Sequence, residues 1–206
     1  MSGFTFRYPV WREIEPNDWV TKWSALYGED ESDNPKHDAL IEKAGMLSSK
    51  DFECVGRCLE GHGGWKAGTP RAFEIWTQAM EQLPRCPAED HIAEFLACWS
   101  EKKFWAGTRK GRRLEQSFGL SRPTTLLHFV SGGLYPIVDR RVEAAMGRLG
   151  SPIEMTIDGY LSFCALFLEL ASACGVSEKK GLRKLDNALF CYGLDSIRLS
   201  SIDSPE

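Results

Sequence analysis

The sequence predicts an all-α fold, a single-domain bundle of about eight helices over residues 1–206 with an extended N-terminal segment. Three observations carry this expectation. Apolar residues recur three and four positions apart in successive windows, which is the spacing of one helix face. Residues that start and stop helices punctuate those windows. No stretch demands a β-sheet.

From Met1 to Pro16, aromatic and polar residues alternate (Phe4, Phe6, Tyr8, Val10), as in a segment running extended across helices. Asn17 or Asp18 can cap a first helix with Trp19, Trp23, Leu26 and Tyr27 on its apolar face. Gly28 to His37 is an acidic loop, followed by two short helices, Asp38 to Leu47 and Asp51 to Leu59. Gly61 to Gly68 is loop, and its glycines lack the spacing of a phosphate-binding P-loop, so His62 and Trp65 carry no motif there. Thr69 and Pro70 open a helix to Leu83, because Pro at the first helical position sacrifices no hydrogen bond. Pro84 and Pro87 end it, and the next helix, Ala88 to about Trp99, turns Ile92, Phe95, Leu96 and Trp99 inward. Near the C-terminus, the very apolar run Ile157 to Cys174 is expected at the centre of the bundle, with Gly175 as its C-terminal cap. A final helix from Glu178 to Tyr192 aligns Leu182, Leu185, Leu189 and Tyr192.

Composition narrows the class. Hydrophobic residues are 43% and charged residues 26% of the chain, which is ordinary for a globular protein and excludes wholesale disorder. The apolar stretch from Tyr160 to Ala173 is too short to cross a bilayer. The start, MSGFTFRYPVW, has no apolar signal core, and the odd number of cysteines, 7, favours reduced thiols. A cytoplasmic protein without membrane partners is expected. Cys54 and Cys58 lie one helical turn apart, but nothing completes a zinc site, so neither metal nor cofactor is expected. The net charge of -4 does not advertise a nucleic-acid binder. Against it stands a local strip, Lys102, Lys103, Arg109, Lys110, Arg112 and Arg113, with no acid among them. Such a strip either engages phosphates or is a solvated loop.

The segment Gly119 to Gly150 is the most informative for function. Ser121 can cap a helix with Pro123 in its first turn and Leu126, Leu127 and Val130 on its apolar face. Gly132 and Gly133 stop that helix, and Leu134 to Val138 is an extended connector stiffened by Pro136. Asp139 then opens a helix with Val142, Ala145, Met146 and Leu149 inward. Its carboxylate is placed to accept first-turn amides, and the helix dipole favours the ionised form. A rigid carboxylate of that kind can stabilise the cationic sugar left when a nucleoside C–N bond breaks. Arg140 and Arg141 follow at once, placed for phosphates.

This stretch resembles the core of the helix-hairpin-helix DNA glycosylase superfamily. There a hairpin Gly-φ-Gly-Arg-Lys-Thr-Ala (φ apolar) opens a helix, and after a short apolar loop Pro-Val-Asp-Thr-His-Val opens another with the catalytic Asp. The matching residues here are Gly119-Leu120-Ser121-Arg122-Pro123-Thr124-Thr125, the loop Leu134 to Val138, and Asp139-Arg140-Arg141-Val142. Ser121 stands for the second hairpin Gly, and Pro123 replaces the Lys that bifunctional members use as nucleophile. The loop before Asp139 is shorter by about two residues, and no cysteine pattern suits the family's optional iron–sulfur cluster. The resemblance implies a monofunctional base-excision enzyme with Asp139 as catalytic residue. It implies duplex DNA as partner, held by the basic strip with Ser121, Arg122, Arg140 and Arg141. Aromatic residues commonly line the pocket for an extruded base, and Trp65, Trp105 and Tyr135 are the candidates.

Other readings stand beside it. Asp139 can be a helix cap alone, in a non-catalytic DNA- or protein-binding module. An enzyme acting on a free nucleoside would need no DNA affinity. His128, among Leu and Phe residues, fits a satisfied structural histidine better than an acid–base group.

Overall fold

The computed structural model describes residues 14–28, 39–43, 51, 89–101, 103–109, 112–117 and 119–202. The helices expected over 51–59 and 69–83, the Gly-rich loop at 61–68 and residues 1–13 lie outside these, apart from Asp51. The chain divides into two compact units, one of residues 1–32 with 138–206, the other of residues 33–137. The described residues are predominantly helical, as the sequence predicts, with one two-stranded sheet inserted.

In the first unit, helix α1 is Pro16–Ala25, followed by a 3-10 turn, Leu26–Gly28. The start differs from expectation. Glu15 holds the cap position without a side-chain bond and Pro16 is the first helical residue, so neither Asn17 nor Asp18 is the cap. Trp19, Val20 and Tyr27 are buried as a face, whereas Leu26 turns outward.

In the second unit, helix α2 is Glu89–Ser100, and Ile92, Phe95, Leu96 and Trp99 are all buried, the inward set the spacing predicts. The described residues of the basic strip lie in strand β1 (Lys103–Arg109) and in β2 (Arg112–Ser117), which pairs with it antiparallel. The register slips between Trp105 and Gly107, so Ala106 is the extra residue of a bulge. Helix α3, Ser121–Ser131, follows, and α2 packs against it. The amide of Gly119 donates to the carbonyl of Ser100 at 3.0 Å, closing the base of the hairpin. The hairpin is therefore an excursion between two helices that meet again where it began.

Ser121 is the first residue of α3 rather than its cap, and its carbonyl accepts from the hydroxyls of Thr124 and Thr125 at 3.0 and 2.7 Å. Gly132 ends the helix in the left-handed conformation (φ 68°), and Gly133 repeats it at φ 84°, a backbone that side chains resist.

Helix α4, Arg140–Arg148, buries Val142, Ala145 and Met146 and is followed by buried Leu149, the predicted inward set. Helix α5, Ile157–Ala173, is capped by Thr156, whose hydroxyl accepts from the Gly159 amide at 3.0 Å. It buries one face only: Phe163, Phe167 and Leu170 are covered while Leu168 is 45% exposed. One covered face and one exposed face differ from the central place in the bundle expected from its composition. Helix α6, Lys179–Ile202, runs ten residues beyond the expected end at Tyr192, because no Gly or Pro after Gly193 interrupts it before Ser204-Pro205.

Helices α4 and α6 approach very closely. A Cβ built on Gly193 would land on the backbone carbonyl of Arg141. Two arginines of α4 flank that crossing, with Arg141 over the Phe190 ring at 4.2 Å and Arg148 over Tyr192 at 4.0 Å. Arg148 also donates to the Tyr192 carbonyl at 3.1 Å. From α1, Trp19 and Trp23 meet Tyr192 edge-on at 5.3 and 5.0 Å, and Tyr27 meets Phe190 at 5.4 Å. Ala at 193 would gain up to about 1 kcal/mol of helix propensity. Overpacking against a fixed backbone carbonyl costs about 1–3 kcal/mol or more and prevails. Gly193→Ala is thus expected to lower stability in chemical denaturation, and an unchanged midpoint would show that the helices are not in contact there.

Candidate active site

Asp139 sits where the connector from α3 enters α4. Its backbone is extended (φ -143°, ψ -179°), and its Oδ1 accepts from the amides of Arg141 and Val142, both at 2.9 Å. This is the expected N-cap geometry. Both bonds fall on one oxygen, and among the described residues Oδ2 receives none. Val138 and Val142, on either side, are buried.

The electrostatics differ from the expectation of a plainly favoured anion. Burial pushes the Asp139 carboxyl above its ordinary value. The bonds from Val142 and Arg141 and the positive charge of Arg141 oppose this, and the negative charge of Asp186 adds to it. Desolvation outweighs what the helix terminus offers.

Asp186 belongs to a polar group on α6 that lies beside its apolar stripe. Arg183 Nη1 donates to Asp186 Oδ2 at 2.9 Å, with both side chains about 5% exposed. Arg183 Nη2 reaches the Tyr27 hydroxyl at 3.4 Å. Arg183 Nε and Asn187 Oδ1 are buried with no hydrogen bond among the described residues. A buried ion pair of this kind is weak evidence for stability. No motif in the sequence singles out Arg183, Asp186 and Asn187. The signal was present, because charged and amide residues at i, i+3 and i+4 flank the apolar stripe of Leu182, Leu185 and Leu189.

The other candidate residues are distributed as follows. Arg140 is exposed beside Asp139, whereas Arg141 is half-buried with its guanidinium stacked on Phe190. In the second unit, Arg122 is half-buried in the first turn of α3, and burial lowers its ordinary value. Lys103, Arg109, Arg112 and Arg113 take register positions in the hairpin, as does Trp105 opposite Glu115. Lys102, Lys110 and Trp65 lie outside the described residues. Tyr135 is half-buried, and its carbonyl accepts from His128 Nδ1 at 2.8 Å. His128 is fully buried on α3, and its Nδ1 bonds the connector at Tyr135. The turn at Gly119 follows β2, and its amide bonds back to the carbonyl of Ser100 at the end of α2.

Among the described residues no group of three His, Cys, Asp or Glu side chains could hold a metal ion. None of their helices is long and apolar enough to cross a membrane. Comparison with family models, curated proteins and solved structures finds no match to this chain.

The raised carboxyl has a consequence for stability. The folded state holds the Asp139 proton more tightly than the unfolded chain does, so its contribution is lost as pH rises through the folded-state value. Asp139→Asn keeps an equivalent cap and removes the desolvated charge. Its expected stability at pH 7 equals or exceeds that of the parent. Asp139→Ala loses the cap at a cost of about 1 kcal/mol. Urea titrations of the three proteins check this order, and a strongly destabilised Asn variant would contradict it.

Proposed function

We propose that this protein is a DNA-binding N-glycosylase of the monofunctional type, with Asp139 as its catalytic residue. The observation that carries the reading is the state of that carboxylate. One oxygen is fixed by two amides, the other receives no hydrogen bond among the described residues, and burial has raised its basicity. A carboxylate oriented through Oδ1, with Oδ2 not hydrogen-bonded among the described residues, suits the hydrolysis of a base–sugar bond. The C–N bond breaks with its electron pair leaving on the base, which takes up a proton from solvent. The negative charge of Asp139 stabilises the cationic sugar that results. Water then attacks the anomeric carbon and passes a proton to Oδ2. With Pro123 where a Schiff-base lysine would stand, no strand-cleavage step follows. Arg140, exposed beside Asp139, supplies a phosphate contact. In the second unit, Arg122 and the basic strip are the residues suited to phosphates. The resemblance of Gly119 to Gly150 to the helix-hairpin-helix glycosylases supports the same reading.

One observation favours a second reading. The two amide bonds at 2.9 Å complete an N-cap by themselves, and they would be equally present in a non-catalytic DNA- or protein-binding module.

The test is excision from a panel of duplex oligonucleotides carrying different modified bases, scored as abasic sites revealed by alkali. Asp139→Asn is expected to abolish excision while leaving the circular dichroism spectrum intact. The acidic limb of the wild-type pH profile is expected above the ordinary carboxylate value of 3.8, because activity needs the ionised form of a raised group. Excision that persists in the variant would return Asp139 to the role of a cap.

A further inference from the structure

Arg183, Asp186, Asn187 and Phe190 fall at i, i+3, i+4 and i+7 on α6, so they share one face of that helix. Arg183, Asp186 and Asn187 are only 4%, 4% and 6% exposed. Tyr27, in the turn after α1, covers this face. Its ring centre lies 5.2 Å from the Arg183 guanidinium carbon, and it meets Phe190 edge-on at 5.4 Å. From α4, Arg141 rests on Phe190 at 4.2 Å, and the amide of the same Arg141 holds Asp139 Oδ1 at 2.9 Å. All of these residues belong to the first unit. The polar face of α6 therefore adjoins Asp139, and the charge of Asp186 acts on its carboxyl.

Two atoms of this face are left over. Arg183 has an N–H donor on every guanidinium nitrogen. Its Nη1 donates to Asp186 and its Nη2 to Tyr27, whereas its Nε is buried with no hydrogen-bond partner. Asn187 Oδ1, one turn along, is a buried acceptor that has none either. Each such atom lowers stability, because it gave up water on folding and gained no bond in exchange. A leucine at 187 would have avoided that loss. The two residues stand about 5–6 Å apart at their Cβ atoms. A donor and an acceptor kept unpaired at that spacing match a ligand that supplies both partners.

The ligand they match is neutral and flat. Asp186 already balances Arg183, and the carboxylates of Asp186 and Asp139 repel a phosphate or carboxylate group. The rings of Tyr27 and Phe190 suit a planar molecule. A nucleobase meets all of these conditions, since its edge sets an acceptor next to an N–H donor.

We infer that Arg183 and Asn187 form a base-recognition site beside Asp139, in which Arg183 Nε donates to an acceptor on the base edge and Asn187 Oδ1 accepts from the adjacent N–H. The inference rests on the glycosylase reading for the kind of ligand and adds the residues that read it. The bond from Arg183 to Tyr27, at 3.4 Å, is the longest on this face, so Tyr27 is the group that moves aside to admit the base.

NMR titration of the full chain with adenosine, cytidine and uridine tests it. Each carries a donor beside an acceptor on its base edge, and purine riboside, whose base has no N–H donor, is the control. At least one of the three is expected to bind at least about tenfold more tightly than the control and to shift the Asn187 side-chain resonances. Asn187→Leu is expected to erase that preference while melting no lower than wild type, since it removes only an unpaired acceptor. A lower melting temperature would mean that Oδ1 is satisfied within the folded chain, and the site falls. It falls equally if no nucleoside outcompetes purine riboside up to the limit of solubility. If nucleosides bind through Asn187 and no base is excised from any duplex, the site stands and the glycosylase reading falls. If excision depends on Asp139 and is unchanged by Asn187→Leu, the glycosylase reading stands without this site.

Discussion

At Gly193 the backbone of α6 passes so near the carbonyl of Arg141 that no side chain fits between them, and this approach sets the surroundings of Asp139. It brings the first turn of α4 onto the face of α6 that carries Phe190 and, one turn earlier, Asp186. Arg141 and Arg148 close the crossing from either side by lying on Phe190 and Tyr192. The same two rings receive Tyr27, Trp19 and Trp23 from α1 and its following turn. Aromatic and cation–ring contacts of this kind contribute about 0.5–2 kcal/mol each beyond the area they bury. Together they fix the direction from which α4 begins.

That direction decides the chemistry of its first carboxylate. An N-terminal Asp on a solvated helix is held as an anion by the dipole and the first-turn amides. Here the amides are present, yet burial and the nearby charge of Asp186 prevail. Asp186 is itself held by Arg183. The outcome is a carboxyl that is rigid through one oxygen and easier to protonate than an exposed one. Function is proposed at this position because the local rule for a cap and the electrostatics of its surroundings disagree there.

The helical elements were legible wherever an apolar stripe and a stop residue agreed. Ile92, Phe95, Leu96 and Trp99 on α2, the inward set of α4, and the double glycine after α3 are buried or turned as their spacing requires. The cap role of Asp139 was legible for the same reason, since both its donors are sequence neighbours. What escaped depends on distant partners. A strip of Lys and Arg has no apolar alternation strong enough to announce strands, so the hairpin was missed. Leu168 looks like core by composition, but only packing decides which side of an apolar helix is covered. The raised Asp139 carboxyl required knowing that α6, more than forty residues later, returns beside it.

The account turns on Asp139 being a desolvated carboxyl and not an ordinary exposed cap. The most direct test is a pH titration of its carboxyl carbon by NMR in the wild-type protein. A midpoint above the ordinary value of 3.8 is the predicted result. A midpoint at or below that value would mean that the helix terminus prevails over burial, and the case for a raised, reactive carboxylate would be lost.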